Sequence, residues 1–178
     1  MPTASELQQQ GIKLFQQHDY EAAARTFQQA YEAYTAEGKR ELAAEMQSNI
    51  GIVHRSLGEH QQALEAVQAA LRTFQELGDQ LHSAQALGNL GGVYVALGDK
   101  EQAYNCYRQA ADLFEVLGEK KFYGETLLAM ADLQVKDGKL MQGAATYEVG
   151  LENIDQLNAS QKVLKGLLGI KNKLTGAK

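Results

Sequence analysis

Residues 84–99 read Ala-Gln-Ala-Leu-Gly-Asn-Leu-Gly-Gly-Val-Tyr-Val-Ala-Leu-Gly-Asp, and the fold is decided in this stretch. Leu87, Leu90, Gly91 and Tyr94 fall at the i, i+3, i+4, i+7 spacing of one helix face. Gly98 then stops the helix, because it can take a left-handed C-terminal conformation, and Asp99 is placed to cap the next helix. From about Lys100 to Leu117 a second helix sets Ala103, Tyr107, Ala110 and Phe114 on one face. Small residues at Gly91, Ala103 and Ala110 let the two helices approach closely, and Tyr107 fills the gap between them. Gly118 ends the unit.

The unit recurs every 40 residues, and such a period has to be read before any local feature. One column is Gly11, Gly51, Gly91, Ala131; two others are Ala23, Ala63, Ala103, Gly143 and Ala30, Ala70, Ala110, Gly150. A larger apolar column, Phe27, Val67, Tyr107, Tyr147, lies between the last two. Corner glycines repeat as Gly58, Gly98, Gly138 and as Gly38, Gly78, Gly118. These columns absorb 11 of the 17 glycines, so glycine in this chain is mainly punctuation. The expected organisation is one all-α domain over residues 1–178, with hairpins at about 4–38, 44–78, 84–118 and 124–157.

Residues 160–175 continue the period as a first-type helix alone. Leu167 follows Leu7, Gln47, Leu87 and Leu127, and Ile170 and Leu174 follow in the same way. Ser160 is the expected N-cap and Gly176 the expected stop. Lys171 falls in the column of Gly11, Gly51, Gly91 and Ala131, where a partner helix would cross. A lysine there marks a capping helix with no partner to follow, as terminal repeats require. After Asp155 there are no acids, and Lys162, Lys165, Lys171, Lys173 and Lys178 collect on the end of a chain whose net charge is −5. Two uses of those lysines stay open: solubility with a favourable helix dipole, or a basic patch for an acidic partner or a peripheral membrane contact.

The small-residue columns, the aromatic between them and the Leu-Gly-Asp/Glu corners at Leu77-Gly78-Asp79 and Leu117-Gly118-Glu119 resemble the tetratricopeptide repeat family in its 40-residue variety. The resemblance spans about residues 4–157. It implies a right-handed superhelical α-solenoid of four helix-turn-helix repeats plus the capping helix, with the first helices lining a concave groove. It implies a protein-binding role and leaves the partner open.

On the first helices the flank opposite the core carries Glu45, Ser48, Asn49, Ile52 and Arg55, then Gln85, Gly88, Asn89 and Gly92, then Asp132 and Lys136. Asn49-Ile50-Gly51 and Asn89-Leu90-Gly91 match the family's Asn-Leu-Gly element, whose asparagine typically clamps the backbone of a bound peptide. An amide both donates and accepts, which suits extended ligands of varied sequence; the plain alternative is a solvated polar residue. Gly88 and Gly92 each cost roughly 1 kcal/mol against alanine inside a helix. Close approach of a ligand is one account of them, and drift on a well-supported surface is the other.

Several chemistries are not expected. No GxxxxGK[ST] loop occurs, and Gly88, Gly91 and Gly92 sit inside a helix rather than a strand-to-helix turn. His18, His54, His60 and His82 are too scattered for a helical metal pair, so no metal and no cofactor are expected. His54 reads as a hydrogen-bonded interior histidine and Cys106 as a packed small side chain. One cysteine forms no disulfide within the chain, the N-terminus does not read as a signal peptide, and no segment spans a membrane; these point to the cytoplasm. The charge of −5 disfavours nucleic acid.

The expected function is a non-enzymatic scaffold, adaptor or assembly factor that holds a partner peptide or helix in its groove, as a monomer or homodimer. The alternative is self-association through an uncapped N-terminal hairpin, where Leu7, Leu14 and Phe15 begin the array.

Overall fold

The computed structural model describes residues 2–175, the last six by backbone alone. Among them run nine helices and no strand: α1 (Ala4–Gln16), α2 (Tyr20–Ala36), α3 (Arg40–Ser56), α4 (His60–Leu77), α5 (Gln80–Leu97), α6 (Lys100–Leu117), α7 (Lys120–Lys136), α8 (Leu140–Glu152) and α9 (Ala159–Thr175). The reading of Ile170, Lys171 and Leu174 as a capping face, and of Gly176 as its stop, lies outside the described residues and side chains.

The first seven corners are built the same way. A residue of positive φ follows the helix, and the next amide reaches back to close the last turn: Asp99 N–H donates to Tyr94 O at 2.9 Å, as Asp79 N–H does to Phe74 O. That closure needs a left-handed residue, and Gly38, Gly58, Gly78, Gly98, Gly118 and Gly138 supply it at φ 71 to 80°. At the first corner His18 takes the place of glycine, at φ 61°. Asp19, Asp79 and Asp99 then cap α2, α5 and α6 by accepting from the amide three residues on. Thr3 and Glu6 form a full capping box on α1. The corners are so short that the helices of the second to fourth hairpins begin at Arg40, Gln80 and Lys120, about four residues ahead of the expected starts.

Contacts divide the chain into two compact units, Met1–Cys106 and Tyr107–Lys178. In the first, each of α1 to α4 packs on the helix that follows, and α3 also touches α5 directly. Its core holds Phe27, Tyr34, Met46 and Val53, then Val67, Phe74, Ala86 and Leu90. Burying a side chain of this size contributes about 1.5–3 kcal/mol. A methyl at Gly11 would stand 2.7 Å from the Phe27 ring, and one at Gly51 2.3 Å from Val67 Cγ2. The small column therefore exists to seat the large one.

In the second unit α7 packs on α8, and α9 touches α8. The connection 153–158 is longer than the other corners, and α9 leaves the 40-residue register after it. Leu167, expected in the core column, is 60% exposed, while Leu168 is 8% exposed. The cap of α9 is Asn158, not Ser160: Asn158 Oδ1 accepts from Gln161 N–H, and the Gln161 side chain accepts from Asn158 N–H, both at 2.9 Å.

Leu7 is only 8% exposed, and Leu14 and Phe15 pack against the core of the first unit. Leu7 is thus inside, and Leu14 and Phe15 stay half-buried.

Candidate partner-binding recess between α3 and α5

The contact of α3 with α5 leaves a recess of about 170 Å³ lined by Glu45, Ser48, Asn49, Ile52, His82, Gln85 and Asn89, with Phe74 of α4 beneath. The spacing explains the wall: 45, 48, 49 and 52 share one face of α3, and 82, 85 and 89 share one face of α5. Six of the residues that the sequence places on the groove flank are thus brought together. Asn89 Nδ2 donates to Ser48 Oγ across the helices at 3.3 Å. One of its two amide hydrogens is used that way, leaving capacity for a ligand.

The remaining flank residues stand elsewhere. Arg55 lies one turn beyond Ile52 and, like Gly88 and Gly92, is half-buried without lining the recess. Around Gly88 nothing lies within 4 Å of where a Cβ would be, so an alanine fits there. Asp132 and Lys136 are exposed on α7, in the second unit. Asp132 accepts a hydrogen bond from the Tyr147 hydroxyl of α8. Partial burial, then that bond and the Asp132 charge, push the Tyr147 phenol up to about 12.

His82 enters the site although the sequence reading passed over it. Its ring stacks on Phe74 with centroids 5.1 Å apart. Nδ1 lies 2.5 Å from Asp79 Oδ2, and Nε2 lies 3.8 Å from Glu45 Oε1. The local signal was present, since a capping aspartate faces the residue three places on. Burial pushes the Asp79 carboxyl up, but hydrogen bonds from the His82 backbone and ring, with the attraction between them, outweigh it and leave the group below its ordinary value. Glu45 goes the other way. Burial raises it, His82 pulls it back, and Glu41 and Asp79 push it further up. Glu41, Asp79 and His82 bring one candidate ligand atom each within 4.8 Å of one another, a grouping that histidine spacing alone did not suggest.

The other singled-out groups are structural. Burial pushes the Cys106 thiol up, away from the thiolate that a nucleophile needs. His54 is half-buried rather than interior, because its ring reaches out of the corner to Glu59 at 2.6 Å.

Residues 42–116, from α3 into α6, match the tetratricopeptide repeat family. Among 81 matching chains of solved structures is that of BtubC (BKLC) from P. vanneervenii, with a TM-score of 0.67 at 17% identity over 93% of the present chain. The chain spans 64% of that protein's length, and at this identity the likeness concerns the fold. No curated protein matches the chain by sequence. Repeats of this type are generally protein–protein interaction modules, and their fold is typically a non-catalytic scaffold. No described helix is long and apolar enough to cross a membrane. With their 40-residue period and glycine corners, the central hairpins over residues 42–116 are tetratricopeptide-type repeats, the segment that the family model matches.

Proposed function

We propose that the protein is a non-enzymatic adaptor or assembly factor that holds a polypeptide segment of a partner against the α3–α5 face, in the cytoplasm. The observation that carries this reading is the recess itself, where Asn49 and Asn89 stand on neighbouring helices beside Ser48 and Gln85. Amides and a hydroxyl so arranged satisfy the donors and acceptors of a peptide backbone without dictating its sequence. Arg55, one turn beyond Ile52 on the same helix, belongs to the same reading. Self-association through Leu7, Leu14 and Phe15 is not carried further, since Leu7 is buried.

Selection of binders from a randomised peptide library on the immobilised full chain tests the reading. Selected peptides should bind the Asn49→Ala, Asn89→Ala double variant roughly tenfold more weakly, the effect of losing one or two net hydrogen bonds. Equal affinity for the two proteins would remove the asparagines from the site, and a selection that returns no binder would remove the groove function.

A further inference from the structure

The recess and the corner beside it hold more negative charge than the fold itself uses. Glu41, Glu45 and Asp79 act on one another around a single imidazole, that of His82. No lysine or arginine lines the recess. The two that precede Glu41 and Glu45 on the chain are engaged, Arg40 Nη2 2.6 Å from Glu76 Oε2 and Lys39 Nζ 2.8 Å from Glu37 Oε2, and Arg55, one turn beyond Ile52, does not line the recess. Asp79 is occupied by the α5 cap and by His82 Nδ1. Glu45 is the carboxylate that remains under-served. Its side chain is 26% exposed, and the His82 Nε2 at 3.8 Å is beyond hydrogen-bond distance. Glu45 lines the same recess as the two asparagines, so a chain lying along Asn49 and Asn89 passes its carboxylate.

We infer that the bound segment carries a basic side chain, arginine or lysine, whose charged head enters the recess beside Glu45. This rests on the peptide-binding reading above and adds the chemistry of its anchor. The recess, about 170 Å³, would hold roughly five waters at the ~30 Å³ that each occupies in the liquid, room for a guanidinium or ammonium head. A cation there gains a partly desolvated carboxylate partner and relieves the mutual repulsion of three acids. Charged pairs of this kind fix register more than they raise affinity. The anchor therefore sets where the segment sits, while the asparagines hold its backbone.

The test is a double-mutant cycle on the full chain. Peptides selected by the wild-type protein should share arginine or lysine at one position. Replacing that residue by glutamine should weaken binding to wild type about tenfold, the scale of a partly exposed charged pair, and leave binding to Glu45→Gln nearly unchanged. Glu45→Gln keeps shape and removes a charge that the fold disfavours, so it should stay folded by circular dichroism. Binders that lack a shared basic residue, or that lose equal affinity on both proteins, overturn the anchor and leave the groove function standing. A selection without binders overturns both. Zinc chloride alone is titrated calorimetrically: 1:1 binding that displaces the peptide and disappears in His82→Ala would assign the charge to a metal ion and overturn the anchor.

Discussion

In the α3–α4 hairpin a bare stretch of helix receives a valine, whereas in the α7–α8 hairpin two bare stretches of backbone meet each other. A methyl at Gly51 would stand 2.3 Å from Val67 Cγ2 and 3.1 Å from Ala63 O. At Gly124 it would stand 2.7 Å from the Gly150 carbonyl oxygen, and at Gly150 it would lie 3.1 Å from that of Gly124. The glycines have moved within the repeat. Where α1 and α3 carry Gly11 and Gly51, α7 carries Ala131; where α3 and α4 carry Ala44 and Ala70, α7 and α8 carry Gly124 and Gly150. The residue of the large column responds. Phe27 and Val67 are buried, but Tyr147, whose counterpart in the small column is Ala131 rather than a glycine, is half-exposed and bonds through its hydroxyl to Asp132. One period thus supports two ways of closing a hairpin, by a side chain in a backbone notch or by backbone on backbone. The second unit also leaves more apolar surface uncovered, with Val116 at 82% and Met141 at 70% exposed.

The contrast breaks most visibly at Gly124. Gly124→Ala sets a methyl against a carbonyl that can move only with its helix, and should cost about 3 kcal/mol, the upper range of overpacking. Gly51→Ala meets a side chain first and should cost about 2 kcal/mol. Urea denaturation of both variants gives the order; a larger loss at Gly51 would mean that Val67 has no room to turn.

The corners repeat the contrast on a smaller scale. His18→Gly replaces the one non-glycine residue of positive φ among the described residues and should stabilise by about 1 kcal/mol. Part of that gain is offset by loss of the 2.8 Å contact between His18 Nδ1 and the Tyr20 hydroxyl. Thermal unfolding reads the difference, and an unchanged or lower midpoint would show that the Tyr20 contact outweighs the backbone strain.

The smallest effect is spectroscopic. Tyr147 holds its proton up to about 12 in the fold, above the ordinary value of 10. Its contribution to stability is therefore intact below pH 10 and is lost as pH rises toward 12. Phenolate absorbance of wild type minus Tyr147→Phe should show a late-titrating tyrosine, and Asp132→Asn should bring it down. No difference between the wild-type and Asp132→Asn curves would remove Asp132 as the cause.

The hairpins were legible because their determinants are local. Leu87, Leu90, Gly91 and Tyr94 announce a helix face, and Gly98-Asp99 announce a corner whose φ and cap follow from residue type. That six of the flank residues line one recess was legible for the same reason: once the core face of α3 and α5 is known, the other flank is fixed by 100° steps. The register of α9 was not, because the longer connection 153–158 breaks the periodic argument and leaves Leu168 rather than Leu167 inside. The burial of Leu7 was hidden as well, since it depends on how α2 packs on α1.

By itself the sequence determined the period, the helices, the corners and the residues that face away from the core, all of which depend on neighbours within a turn or two of chain. Tertiary structure alone decided that Asp79 and His82, at the start of α5, come beside Glu41 and Glu45 of α3. Some 40 residues of chain separate these groups, and their charges meet only because α3 and α5 pack directly on one another.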